Sequence, residues 1–137
     1  MRTEDLRQRR STSRAGAVRI ASRQKSATID RAGLRRDVRK ILALLGLGDR
    51  ELSLLLVDDE GIRALNRQWL RRDRPTNVIS FSLSEGDFGG LNPGVLGDVA
   101  VSVEAARREA LAAAIPFEDA LLNLVLHGIL HLAGYAH

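Results

Sequence analysis

The chain has 137 residues, enough for one domain with a substantial hydrophobic core, and its lack of Cys excludes disulfide partners and thiolate chemistry. Its net charge of +4 is unevenly distributed, because residues 1–25 hold eight Lys or Arg against two acidic residues. No apolar stretch approaches the roughly 18 residues that a membrane span requires, and the N-terminus lacks the apolar segment of a secretory signal. These features predict a cytoplasmic protein without membrane partners.

The domain is predicted to span residues 17–137, preceded by a basic, disordered tail at 1–16. Such a tail either attracts polyanions weakly or is a solvated extension without a role. Within the domain, the alternating sequence at 17–21 predicts a short first strand. From Ile29 the apolar residues recur at helical spacing as far as Leu45, which predicts a helix ended by the glycines that follow.

A second strand and helix follow directly. The apolar run at 51–57 predicts a strand, and Asp58 and Asp59 suit the N-cap of a helix over about 60–70. The inner face of this helix is predicted to carry Ile62, Leu65 and Trp69.

The second half of the chain predicts two strands and then two helices. The strands are expected at 77–83 and 97–103, joined as a hairpin through a Gly-rich loop at 84–97. Ser102 suits the cap of a helix reaching about residue 114, and a final helix is expected to begin near Phe117. The sequence therefore predicts an α+β domain, a small mixed four-stranded sheet packed with helices.

All three histidines, His127, His131 and His137, lie within the last eleven residues. The first two are one helical turn apart in the predicted final helix, so both imidazoles project from one face. Gly134 is predicted to end that helix and to let the chain return towards them. Three imidazoles with a fourth position open form the ligand set of a catalytic Zn²⁺ site, and we predict one Zn²⁺ per chain on these residues. The alternative is a set of core histidines hydrogen-bonded to the backbone.

The spacing of these histidines also matches the zinc-peptidase pattern HExxHxxGxxH, which leaves a metallopeptidase-like hydrolase as an alternative. Two features disfavour it. Gly128 stands where the peptidases carry the Glu that acts as general base, and the chain has no Met after Met1 to form their supporting turn.

A cluster of arginines provides the cationic surface that a phosphodiester substrate would need. The cluster lies on the predicted second helix and the turn after it, with Asp73 as the only acidic residue between its members. Such a cluster can neutralise RNA phosphates, and the alternative is a solvated helix face. The predicted RNA-binding residues are Arg63, Arg67, Arg71, Arg72 and Arg74.

Three stretches together carry a resemblance to a known family. HGILHLAGYAH at the C-terminus resembles the HGxLHLxGYDH signature of the YbeY family of bacterial rRNA-maturation endoribonucleases. LNRQWLRRDRPTNVISF resembles that family's LNxxYRxKDxPT(D/N)VLSF segment, and LGDVAVSVEAARREA resembles its LGDIxIs strand and the following helix. The three stretches cover most of residues 50–137.

The resemblance implies an α+β fold, a metal on the three histidines, and cleavage of single-stranded RNA in the 3′-end processing of small-subunit rRNA. It places His127 at the cleavage centre. The family's functional Arg aligns with Leu70, and Arg71 beside it is predicted to take the catalytic role. The implied partners are single-stranded rRNA and the small ribosomal subunit with its assembly factors. Leu70 also leaves open a non-catalytic assembly factor whose metal is structural.

Overall fold

The computed structural model describes residues 17–70, 76–81 and 94–135 of the chain. The elements follow the predicted β-α-β-α-β-β-α-α order, which confirms the α+β class. They are β1 (Val18–Arg23), α1 (Arg31–Leu44), β2 (Glu51–Val57), α2 (Asp59–Leu70), β3 (Val78–Phe81), β4 (Val95–Ser102), α3 (Val103–Ala113) and α4 (Phe117–Leu132). The predicted tail at 1–16 lies outside the described residues.

The four strands form one mixed sheet in the order β1-β2-β4-β3. β1, β2 and β4 run parallel to one another, and β3 pairs antiparallel with β4, as the predicted hairpin requires. The predicted start of β4 at Gly97 is wrong, because Val95 already pairs with Glu51. The register shifts at this end of the pair, where Leu52 pairs with Gly97, so Leu96 is an extra residue of a β-bulge.

Both faces of the sheet are covered. Leu54 and Leu56 of β2 and Val99 of β4 lie in the larger core, beneath α1, α3 and α4. On the other face, Val57 and Ile79 pack with Ile62 of α2 in a smaller core. A strand such as β2 supplies apolar side chains to both cores, because successive residues point to opposite sides of the sheet. Helix α4 is therefore held on the larger core, against β3 and β4.

The beginnings of α2 and α3 are joined by polar contacts. Asp58 caps α2 as predicted, accepting the Gly61 N–H at 2.8 Å, whereas Asp59 is the first helical residue and not a second cap. Its carboxylate accepts the Ser102 hydroxyl at 2.7 Å and pairs with Arg108 of α3 at 2.7 Å. Ser102 in turn caps α3, as the sequence predicts. The hydrogen bond from Arg108 holds the pKa of Asp59 below its usual value, although burial opposes this.

No single helix among residues 17–70, 76–81 and 94–135 is long and apolar enough to cross a membrane. Helices α3 and α4 meet such a length and composition criterion only together, as a pair bent by 118°.

Candidate functional site

Helix α4 presents His127 and His131 on its exposed face, one turn apart. The opposite side of the helix is fully buried, with Val125 and Ile129 both at 0% exposure. The helix is thus fixed by its apolar side while both imidazoles remain accessible, which is the arrangement that the spacing of the histidines predicts.

Gly128, between the histidines, packs tightly against the sheet. A Cβ atom at this position would lie 2.6 Å from Cγ1 of Val99 and 3.0 Å from the hydroxyl of Ser80. That hydroxyl donates a hydrogen bond of 2.8 Å to the Gly128 carbonyl. Position 128 is therefore directed into the packed interface with β3 and β4, and it has no space for the Glu of a zinc peptidase.

A second close approach lies at the C-terminal end of α4. A Cβ atom at Gly97 would lie 2.8 Å from Leu132, the residue after His131, and 3.1 Å from the carbonyl oxygen of Phe81. Gly97 also has a φ of +147°, in the range that favours glycine. The β-bulge, the end of β3 and the last turn of α4 therefore converge at Leu132, the residue directly after His131.

The chain reverses at the end of α4 through a Schellman motif. Gly134 adopts a φ of +89°, and its N–H donates to the His131 carbonyl at 3.1 Å. The Tyr135 N–H donates to the Leu130 carbonyl at 2.9 Å, which is the longer-range hydrogen bond of the motif. The predicted helix end at Gly134 is confirmed, and the motif turns the chain back from the helix axis.

The third predicted ligand, His137, lies outside the described residues. Within the described part of the chain, no group of three His, Cys, Asp or Glu residues is placed to hold a metal ion. The structure therefore brings together two of the three predicted ligands, and the three-histidine site stays a prediction. The donor set fits the metal, since two exposed imidazoles share one helix face and the turn redirects the chain that carries the third.

The predicted arginine cluster is described only in part. Arg63 is partly buried and Arg67 is exposed, one turn apart on α2, and both take part in interactions within the fold. Arg71, Arg72 and Arg74 lie outside the described residues, and the side chain of Leu70 is likewise not described. The catalytic role assigned to Arg71 stays a prediction.

Trp69 differs from its predicted place on the inner face of α2. Ile62 is fully buried, but Trp69 is 45% exposed, because it lies near the C-terminal end of the helix beyond the smaller core. Its indole stacks on the ring of Phe81, with centroids 5.2 Å apart and an interplanar angle of 12°. The apolar spacing of α2 predicts the contact with the sheet but not the exposure.

Asp98 is a further residue at this end of the sheet, and the sequence patterns did not single it out. It is the cross-strand partner of Phe81, so both side chains point to the same face of the sheet. Burial raises the pKa of the Asp98 carboxyl. The only charged residue within the mostly apolar segment 95–103 is the signal that could have identified it.

The chain is similar to the members of one protein family. A family model described as Endoribonuclease YbeY matches residues 19–137. The chain is 50% identical over 121 residues to a protein named Endoribonuclease YbeY from Syntrophus aciditrophicus, covering 88% of this chain and 76% of that one. It is 52% identical over 120 residues to a protein of the same name from Geobacter sulfurreducens, covering 88% and 80% of the two chains.

The fold is also similar to a solved structure. The solution structure of TM1509 from Thermotoga maritima matches with a TM-score of 0.59 and 31% sequence identity, over 88% of this chain and 74% of that one.

Proposed function

The chain belongs to the endoribonuclease YbeY family, and from that membership we propose that it is a metal-dependent endoribonuclease specific for single-stranded RNA. We infer that it acts in the cytoplasm on rRNA, in the 3′-end processing of the small-subunit rRNA. The partners proposed with this role are the small ribosomal subunit and its assembly factors.

The observation that carries the proposal is the pair of exposed imidazoles on α4, followed by a reversal of the chain. The sheet fixes the helix on one side through Gly128 and Leu132, so the positions of His127 and His131 are set by packed structure. A site held on a rigid element in this way loses little order when it binds a ligand. His137 follows the reversal by three residues and is the proposed third ligand.

The metal would be held by His127, His131 and His137, and imidazole ligands with an open position suit Zn²⁺. Such an ion would activate a water nucleophile and stabilise the charge that develops on the phosphate. His127 would lie at the cleavage centre. Hydrolysis then breaks one P–O bond of the RNA backbone, with water supplying the oxygen that phosphorus gains.

The arginines of α2 and of the following segment would hold the RNA. Arg63 and Arg67 lie on one helix, and Arg71, Arg72 and Arg74 continue the basic sequence. Guanidinium groups bind phosphate oxygens through paired hydrogen bonds, and they also stabilise charge that develops there during reaction. We assign the second role to Arg71, which stands beside the position of the family's functional Arg.

The same features bear on the two alternative functions. A metallopeptidase would need a general base next to the first histidine, and Gly128 is packed too tightly against Val99 to be replaced by one. A non-catalytic assembly factor with a structural metal agrees with the two histidines, and it differs from the proposal only in lacking cleavage.

The proposal is tested by comparing His131→Ala with Asn123→Ala. Asn123 is exposed on the same helix two turns before His131, so its loss controls for any change in α4 itself. We expect His131→Ala to lose both metal and cleavage of a single-stranded rRNA fragment by at least about 100-fold, since removing a ligand empties the site. Asn123→Ala should retain both. Metal bound by the unaltered chain without cleavage would favour the assembly factor.

A further inference from the structure

Trp69 is an aromatic side chain that remains substantially exposed at the C-terminal end of α2. Phe81 covers one face of the indole, and Trp69 is still 45% exposed, so much of the rest of its surface meets solvent. Leaving that surface in water forgoes part of the stabilisation that burying a large aromatic side chain gives. A single exposed apolar side chain is common on protein surfaces, but an indole already stacked on a second ring also presents a flat face on which a base can stack.

The position of the pair connects it to the candidate metal site. Phe81 ends β3, and its carbonyl oxygen lies beside Gly97, which is also in contact range of Leu132. Leu132 directly follows His131 in α4. The contacts from Phe81 through Gly97 to Leu132 place the aromatic pair at the same end of the sheet as the histidines. The pair lies on the opposite face, because the Phe81 ring packs against the smaller core whereas α4 covers the larger one.

The pair is also rigid. Phe81 is held by its pairing with Asp98 in β4, and α2 is anchored by Ile62, which is fully buried. The interplanar angle of 12° leaves the outer face of the indole parallel to a fixed ring beneath it. A flat, supported aromatic face at the margin of a nucleic-acid site is the arrangement on which unpaired bases stack.

We propose that the Trp69–Phe81 pair is a stacking platform for an unpaired nucleobase of the RNA substrate, at the same end of the sheet as the metal-binding histidines but on its opposite face. This inference rests on the proposed function for the identity of the substrate. It adds a binding residue, and it offers a physical reason for the preference for single strands, because a base within a duplex has no free face to stack on the indole. Trp69 is a binding residue in this proposal and takes no part in bond cleavage.

Trp69 is the only tryptophan of the chain, so its fluorescence reports on this position alone. The first test titrates the full-length chain carrying His131→Ala, which is expected not to cleave, with short oligoadenylate. Stacking is expected to quench the emission, with oligoadenylate binding more tightly than oligouridylate of the same length, because purines stack more strongly. An abasic oligonucleotide of equal charge should leave the emission unchanged.

The second test measures affinity by a method independent of tryptophan, such as anisotropy of labelled RNA. Trp69→Leu, which keeps an apolar side chain without a π face, should weaken oligoadenylate binding about tenfold and remove the preference for adenine. Trp69→Phe should retain most of both. Leu111→Ala on α3, which alters another exposed hydrophobic residue, is the matched control and should bind like the parent.

The outcomes separate the platform from the nuclease. The platform is supported if oligoadenylate quenches Trp69 fluorescence and the adenine preference is lost in Trp69→Leu. This holds even if no RNA is cleaved, in which case the proposed function fails and the binding site stands. Equal affinity and equal base preference in the parent and Trp69→Leu, in a chain that cleaves RNA, would overturn the platform and leave the nuclease intact.

Discussion

Gly128 shows how one residue can decide which chemistry a site permits. Its place between His127 and His131 is governed by packing, since a Cβ there would contact Val99 and Ser80 at 2.6 Å and 3.0 Å. The sequence identifies the glycine as a missing general base, and the structure gives the physical reason. The helix approaches β4 so closely at this position that no side chain fits there.

We therefore expect Gly128→Ala to lower the free energy of unfolding by about 1–3 kcal/mol, the usual cost of overpacking a buried contact. Gly48→Ala is the matched control, because a Cβ there meets only ordinary contacts at 3.6 Å and 3.9 Å with Ala43. It should be neutral or slightly stabilising. Denaturant unfolding of both variants measures the difference, and equal stabilities would contradict the close approach.

The Asp59–Arg108 pair predicts a dependence of stability on pH. The Arg108 hydrogen bond is the largest influence on Asp59 and holds its pKa below the usual value. The pair therefore stabilises the fold fully at any pH at which Asp59 is ionised in both the folded and the unfolded chain. This stabilisation is present above about pH 4, the pKa of an unperturbed Asp, and is lost as the pH falls through the lowered pKa of the folded state.

Arg108→Met should therefore cost about 0.2–1 kcal/mol at neutral pH, as expected for a partly exposed ion pair, and the cost should vanish in acid. Arg39→Met on the exposed face of α1 controls for the loss of one positive charge. Urea unfolding from neutral pH into strong acid, below the lowered pKa of Asp59, provides the comparison. If the free energy of unfolding of Arg108→Met remains below that of the parent at the lowest pH, the arginine stabilises the fold by packing alone.

At the scale of elements, the end of α4 connects the fold to the metal. The Schellman motif depends on the left-handed conformation of Gly134, at φ +89°, where an added Cβ would meet no neighbouring atom. The cost of substitution there is thus conformational, about 1 kcal/mol for a residue with a side chain.

Gly134→Ala is expected to weaken metal binding, because the altered turn no longer directs the chain that carries His137. Gly46→Ala is a close match, since Gly46 follows α1 with φ +76° and equally open space but lies in another part of the fold. Both variants should lose similar stability, and only Gly134→Ala should lose metal affinity in a competition with a chromophoric chelator. Equal metal affinities in the two variants would show that the turn at Gly134 does not position a metal ligand.

The elements themselves were largely predictable from the sequence, because strong local signals agree with the tertiary structure. The apolar run of β2 and the caps Asp58 and Ser102 are such signals. The start of β4 was not predictable, since its first residues pair through a bulge that depends on the position of β2. The exposure of Trp69 was missed for a similar reason. Helical spacing predicts the face on which a residue lies but not how far the opposing surface extends.

The candidate site was predicted from the spacing of its histidines. The structure places His127 and His131 as that spacing requires, whereas the convergence of Gly97, Phe81 and Leu132 beside them is a property of the assembled sheet. No periodicity in the sequence brings the ends of β3, β4 and α4 together.

For the whole molecule, the distribution of positive charge should decide how RNA binding responds to salt. Arg67→Ala with Arg71→Ala should reduce the slope of log affinity against log salt by about one unit for each phosphate that the protein no longer neutralises. Arg39→Ala with Lys40→Ala removes the same charge from the exposed face of α1. If both double variants change the slope equally, the RNA responds to the overall charge of the protein and not to the proposed arginine surface.

The central claim, a metal-dependent nuclease for single strands, is tested most directly by titrating Zn²⁺ into the chelator-treated full-length chain while cleavage of an rRNA fragment is followed. The same fragment annealed to its complement is the control substrate. We predict that cleavage of the single strand rises with added metal, saturates at one ion per chain, and is absent on the duplex. Cleavage that persists undiminished in excess chelator, or that proceeds equally on the duplex, would contradict this account.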